Sequence, residues 1–283
     1  MTAREAAFTH LIDYAGLYPP AALNMEAAVR NYLRYRAEKH ACMLGRFIVD
    51  CSRLEELREN AGDELSNMPL SVIAKVDIDP AVIAQALADG FRIECIEMKS
   101  DEPLNIARAR ERIPESLQCF FEIPLRPGCT GAIDAIAAVD ARAKLRMGGV
   151  VPDAFPPPQH VVEKLQLLTD RRVSFKATAG LHHPLRSQDK LTYSPDSVSG
   201  TMHGFLNLLC AAALIRFGGD MTEARTVLEE QNPDAFRLTP AAVCARRHEW
   251  NVEQIRELRK FFVSFGSCSF TEPLHDLEAL GWL

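Results

Sequence analysis

Short apolar runs alternate with amphipathic segments along the whole chain, and this repeat constrains the fold more than any other feature of the sequence. Such alternation is the mark of repeated strand–helix units and a parallel sheet. The strand-like runs fall near 8–13, 43–49, 70–76, 92–98, 117–123, 141–146, 173–178 and 261–266. Helical patterns lie between them, most clearly Met25 to Glu38, Pro80 to Ala88, Ala132 to Val139, Gln159 to Leu168 and His203 to Phe217. Eight such units predict a closed (β/α)8 barrel. An open doubly wound sheet usually carries a Gly-rich phosphate loop after its first strand, and Asp13-Tyr14-Ala15-Gly16 is not one. The expectation is a single barrel domain over 1–283. About eighty residues separate the seventh and eighth runs, more than one helix needs, so 220–258 is expected to be a helical insertion. It either covers the barrel or packs against a partner, a second copy of the chain included.

The composition bounds the partners. A hydrophobic content of 47% suffices for a full core, and a net charge of -6 with scattered basic residues argues against nucleic acid and membrane surfaces. No run of about 18 apolar residues occurs, and the N-terminus has no apolar h-region. The eight cysteines form no Cys-x-x-Cys pair, so free thiols in a reducing cytoplasm are expected. A small molecule is the expected partner.

Strand side chains alternate faces, and in a barrel the apolar set faces the helices while the other set lines the interior. By that parity Lys144 and Arg146 point inward from the sixth strand, Lys176 from the seventh and Glu122 from the fifth. Lys75 and Arg46 are further candidates for the interior. The fourth strand leaves two choices, since Glu94 and Glu97 lie on opposite faces. Charges buried together must compensate one another or a ligand.

Lys144 and Lys176 end successive strands, each ahead of glycine: Gly148-Gly149 after the first, Gly180 after the second. An amine attacks a carbonyl only when neutral, whereas free lysine has a pKa of ~10.4. Two inward lysines on adjacent strands can approach within ~5 Å. Their repulsion at an effective dielectric of ~20 is roughly 3 kcal/mol, which would lower the pKa of one of them. The plainer reading is that each lysine pairs with a carboxylate such as Glu122 or Glu97.

Three segments resemble the deoxyribose-phosphate aldolase family of class I aldolases. Leu11-Ile12-Asp13-Tyr14 with Leu17 and Pro19 is similar to its opening strand motif, Phe175-Lys176-Ala177-Thr178-Ala179-Gly180 to its strand-seven motif, and Phe265-Gly266-Ser267-Cys268-Ser269 to its phosphate loop. Lys144 is placed like its Schiff-base lysine. The resemblance implies a (β/α)8 lyase without a cofactor or metal. Lys144 would form the imine, Lys176 would activate it, and Asp13 with Glu97 or Glu122 would move protons. An anion, a phosphate in that family's substrates, would sit on Gly148, Gly149, Gly266 and Ser267, with Arg146 as a clamp. Two departures point away from deoxyribose phosphate itself: Leu145-Arg146-Met147 replaces small hydroxyl residues, and Ala15 replaces a threonine.

His182 and His183 follow the second lysine and offer an acid, a base or an anion contact near neutral pH. Two other classes of function fit the same residues. One is a metal-dependent barrel using Glu122, a strand-four glutamate, Asp77 and His182 or His183. The other is a non-catalytic barrel that binds an anionic metabolite.

Overall fold

The computed structural model describes residues 1–283. The chain begins with a helix, Ala3–Phe8, because Thr2 and Glu5 cap each other's backbone: Thr2 Oγ1 accepts from Glu5 N at 3.1 Å and Glu5 accepts from Thr2 N at 2.7 Å. Phe8 therefore belongs to that helix, and the first strand, β1 (Ile12–Tyr14), is shorter and later than the apolar run predicts. There follow β2 (Leu44–Asp50), β3 (Leu70–Ile73), β4 (Ile93–Lys99), β5 (Gln118–Ile123), β6 (Arg142–Arg146) and β7 (Phe175–Thr178). The polar stretch after β7 forms an antiparallel ribbon of β8 (Ser187–Lys190) and β9 (Ser199–Met202). A small antiparallel sheet comprises β10 (Phe236–Leu238), β11 (Ala242–Ala245) and β12 (His248–Asn251), and the last strand is β13 (Phe262–Ser267).

Eight strands close into a parallel barrel in the order β1, β2, β3, β4, β5, β6, β7, β13 and back to β1. Apolar side chains on their outer faces, Phe47, Val49, Phe121, Ala143, Leu145, Phe175 and Ala177, are fully buried under the helices. The inner parity carries Asp13, Ser71, Glu97, Glu122, Lys144, Lys176 and Ser264, all buried. This (β/α)8 barrel agrees with the expected fold class. Strand β3 ends at Ile73, which leaves Lys75 and Asp77 exposed on the following loop rather than inside. No helix is long and apolar enough to cross a membrane, and all eight cysteines are free.

The helix Phe205–Arg216 explains the insertion. Every residue from Phe205 to Ile215 is buried, so this helix lacks the solvent-facing stripe that a barrel helix usually carries. The segment after it supplies cover with the helix Met221–Glu229, while the β10–β12 sheet packs against the helices Ala3–Phe8 and Val252–Phe261. The stretch 220–258 is thus mixed rather than helical. Its strands are only three or four residues long, and the tight turn at Arg246 takes a positive φ of 53°. Elements so short leave little periodicity in a sequence.

Asn207, fully buried on that apolar helix, ties the cover down. Its Oδ1 accepts from Arg186 N at 2.8 Å, and its Nδ2 donates to the carbonyls of Val227 at 2.7 Å and Glu230 at 2.8 Å. Removing the amide leaves buried backbone groups without partners. Asn207→Ala is expected to lower stability by about 2–4 kcal/mol in urea unfolding; a loss below about 1 kcal/mol would show that water replaces the amide.

Candidate active site

Strand register places the inward ionisable groups side by side. Glu122 pairs in register with Lys144, and Lys144 with Lys176. Glu97 stands between the two ammonium groups, with Oε1 2.6 Å from Lys176 Nζ and Oε2 2.8 Å from Lys144 Nζ. Lys176 also donates to Asp13 Oδ2 at 2.6 Å, and Lys144 lies 3.1 Å from Glu122 Oε2. Outward from there, Arg146 Nε contacts Glu122 Oε1 at 3.0 Å. Beyond Asp13, Arg46 lies 4.0 Å from Asp13 Oδ2 and 3.0 Å from Glu94 Oε2. The result is one alternating chain, Glu94, Arg46, Asp13, Lys176, Glu97, Lys144, Glu122, Arg146. Four carboxylates balance four cations.

Neutral groups complete it. Ser264 Oγ donates to Asp13 Oδ2 at 2.8 Å, the Arg46 backbone N–H donates to Asp13 Oδ1 at 2.9 Å, and Ser71 Oγ donates to Glu97 Oε1. The Phe120 ring lies 5.5 Å from Lys176 Nζ. Ser71 and Ser264 escaped the sequence reading, although a serine on the inward parity of an apolar strand is the signal that marks them. The register also resolves the fourth strand: Glu97 faces the interior at 1% exposure, and Glu94 serves the opposite end of the barrel.

This balance changes the electrostatics expected for the lysines. Burial alone would lower the Lys176 pKa, but Asp13 and Glu97 outweigh it and hold Lys176 well above the ordinary lysine value. For Glu97, burial acts to raise the pKa, yet Lys144 and Lys176 drive it far below the usual carboxylate range. Glu122 follows the same pattern: burial opposes, and Lys144 and Arg146 prevail to lower it. The two amines meet at one carboxylate, Glu97, which offsets their repulsion. Lys176 stays cationic instead of being pushed toward neutrality. Glu97 Oε2 is a buried acceptor without a well-directed hydrogen bond, despite its closeness to Lys144.

At the C-terminal ends of β4, β5 and β6 a cavity of about 470 Å³ opens, lined among others by Lys99, Glu122, Arg146 and Phe155. Arg146 is the most exposed member of the charge chain, at 52%. The glycines after the lysine strands have a packing role there. A Cβ on Gly148 would lie 2.3 Å from the Phe155 ring and one on Gly180 2.6 Å from it, and Gly149 is close to Ala154. Gly180 also has a positive φ of 67°. Phe155 thus occupies the space these glycines clear, rather than an anion. His203 holds the same loop: its Nε2 donates to Pro156 O at 2.8 Å, and its Nδ1 accepts from Arg186 at 3.2 Å. It precedes the helix Phe205–Arg216 instead of opening it.

The remaining predicted residues are not brought to the lysines. His182 Nδ1 pairs with Glu272 at 2.8 Å, and His183 Nδ1 with Asp276 at 2.6 Å, both on the helix Thr271–Ala279. A Cβ on Gly266 would crowd Ile48 and Thr178, so Gly266 clears space within the barrel. Ser267 accepts from Ser269 N at 3.3 Å, and Ser269 Oγ accepts from Glu272 N at 3.2 Å, filling the helix start with protein groups. Asp77 is exposed, and no three His, Cys, Asp or Glu side chains are grouped as metal ligands. Of the carboxylates in the metal-dependent reading, Glu97 and Glu122 meet at Lys144, and Asp77 does not join them.

No known protein family matches the chain, and no curated protein matches it. The solved carboxyl transferase domain of Rhizobium etli pyruvate carboxylase with 3-bromopyruvate is similar over 80% of this chain and 47% of that chain, at 12% identity and a TM-score of 0.45. The chain spans about half the length of that structure. The barrel assignment rests on strand register and not on this likeness.

Two outcomes follow from the charges. Glu97→Gln removes the shared carboxylate from two buried ammonium groups and is expected to cost about 3–5 kcal/mol in chemical denaturation at neutral pH; a loss under about 1 kcal/mol would mean the lysines are compensated without it. His203 is held neutral, its pKa pushed down to about 4 by burial and then by Arg186, against the Pro156 carbonyl. The unfolded chain therefore takes up this proton first as pH falls. Stability should decline from pH ~6.5 down to about 4, by roughly 3 kcal/mol in total. His203→Gln, which keeps a donor toward Pro156, should flatten this part of the stability-versus-pH curve.

Proposed function

We propose that this chain is a carbon–carbon lyase of the Schiff-base, aldolase type, acting on a small carbonyl compound that carries an anionic group, a phosphate foremost. Its plan is that of the deoxyribose-phosphate aldolase-like barrels, with the substrate left open by the departures at Arg146 and Ala15. The observation that carries the reading is the single carboxylate, Glu97, shared by Lys144 and Lys176. Lys144, at 6% exposure, is the lysine nearer the mouth, and Lys176 is fully buried. Lys144 is accordingly the nucleophile, and Lys176 is the fixed cation beside it.

The charge chain supplies a route to the free amine. An anionic substrate in the mouth draws Arg146 away from Glu122, which then faces Lys144 alone and accepts its proton. The neutral amine adds to the carbonyl carbon, and loss of water from the carbinolamine gives the iminium. That iminium takes up the electron pair of the Cα–Cβ bond as it breaks, while a carboxylate removes the β-hydroxyl proton and an aldehyde leaves. Protonation of the enamine at Cα and hydrolysis by water then release the second product and restore Lys144. Phe155 must swing off Gly148 and Gly180 for the carbonyl to reach the amine, so loop movement belongs to the cycle.

Incubation with glycolaldehyde phosphate and borohydride, followed by peptide mass mapping, is expected to leave a reduced adduct on Lys144. Lys144→Ala should lose the adduct and, with an accepted substrate, lower turnover by roughly a thousandfold or more. Labelling confined to surface lysines, or full turnover by Lys144→Ala, would overturn the reading.

A further inference from the structure

The opposite end of the barrel holds a second cavity, of about 490 Å³, between the N-terminal ends of β1, β2, β3, β4 and β13. Four arginines line it, Arg36, Arg46, Arg92 and Arg259, against a single carboxylate, Glu94. That one acid is shared, since it contacts both Arg46 at 3.0 Å and Arg92 at 2.9 Å. Arg36 has only a distant partner outside the cavity, Glu64 at 3.8 Å.

Arg259 is the strongest sign of a missing counter-charge. Its guanidinium donates to the carbonyls of Ala7 at 3.0 Å, Thr9 at 3.4 Å, Phe262 at 3.2 Å and Val263, and to no carboxylate. Burial pushes its pKa down to about 10, against the pull of Asp13. A guanidinium desolvated in this way is stabilised by any anion that enters beside it. Salt bridges that serve stability alone come with matched charges, as the lysine chain of this same barrel does. Here the excess is left facing a half-open cavity of the size that holds a small metabolite.

We infer that the N-terminal mouth of the barrel is a binding site for a small polyanion, a metabolite with two or more phosphate or carboxylate charges held by Arg36, Arg46, Arg92 and Arg259. The planar guanidinium forks suit both phosphate and carboxylate oxygens. The concave shape and the overall charge of -6 favour a small ligand over an extended nucleic acid. The anion sits at the other end of the strands from the lysine mouth, and Arg46 is the one residue common to this cavity and the lysine charge chain, through Asp13.

Isothermal titration with pyrophosphate, and separately with tricarballylate, tests it on the full chain. The expected result is one polyanion bound per chain, the tighter of the two probes showing which head group the site favours. Arg36→Ala/Arg92→Ala should weaken binding at least about tenfold, and Arg92→Glu, at a position 55% exposed, should do the same without touching the core. Arg146→Ala, which removes the anion clamp of the lysine mouth, should bind as the unaltered chain does. Absence of binding by either probe to millimolar concentration would overturn the inference, as would binding unchanged in both arginine variants or lost in Arg146→Ala.

Discussion

One carboxylate holding two ammonium groups is the interaction on which the barrel interior depends. Lys144 and Lys176 are register partners on adjacent strands, so their Cβ atoms are fixed close together whatever their side chains do. Two cations at ~5 Å repel by roughly 3 kcal/mol at a dielectric of ~20, and each also loses several kcal/mol of hydration on burial. Glu97 answers both costs, because its two oxygens reach one lysine each. Asp13 and Glu122 extend the alternation in either direction, and Arg46 and Arg146 carry it on toward the two mouths. No member can be neutralised without exposing its neighbours.

The packing of the interior serves that chain. Asp13 can lie flat against β2 because position 45 has no side chain: a Cβ on Gly45 would stand 2.4 Å from Asp13 Oδ1. Ser264 and Ser71 each donate a hydroxyl to the acid oxygen that also faces Lys176, Asp13 Oδ2 and Glu97 Oε1, and the Arg46 backbone N–H satisfies the other oxygen of Asp13. Below Lys176 the face of Phe120 offers its negative quadrupole to the ammonium group. Small and polar residues on one strand parity thus make room for charge, while the other parity, with Phe47, Phe121 and Phe175, supplies the apolar burial that stabilises the barrel.

The period-two pattern explains what could be read without coordinates. A strand with Phe175 and Ala177 under helices must turn Lys176 inward, and the same logic places Lys144 and Glu122. It fails where two periods overlap. Glu94 and Glu97 lie on opposite faces of a strand apolar on both, so only pairing to β3 and β5 separates them. Phe8 reads as strand by its apolarity, but the Thr2–Glu5 capping box commits it to a helix. The glycines after β6 and β7 look like an anion cradle in isolation; their real occupant, Phe155, belongs to the loop that follows. His182 and His183 find their acids on a helix about ninety residues away, a pairing that local spacing cannot carry.

The arrangement constrains the chemistry as much as it permits it. Lys144 is flanked by two carboxylates, Glu97 and Glu122, and its proposed role as nucleophile has to be reconciled with both contacts. On the proposed reading, reactivity would be released by removing charge from the chain, and the accessible place to do so is its end at Arg146. On the proposed lyase reading, a neutral aldehyde would leave Arg146 on Glu122, whereas an anionic one would compete for the guanidinium and free a carboxylate next to Lys144. Substrate charge would then select the substrate and activate the nucleophile through the same ion pair. The balance of four against four makes the site stable at rest, and the exposed position of one member makes it switchable.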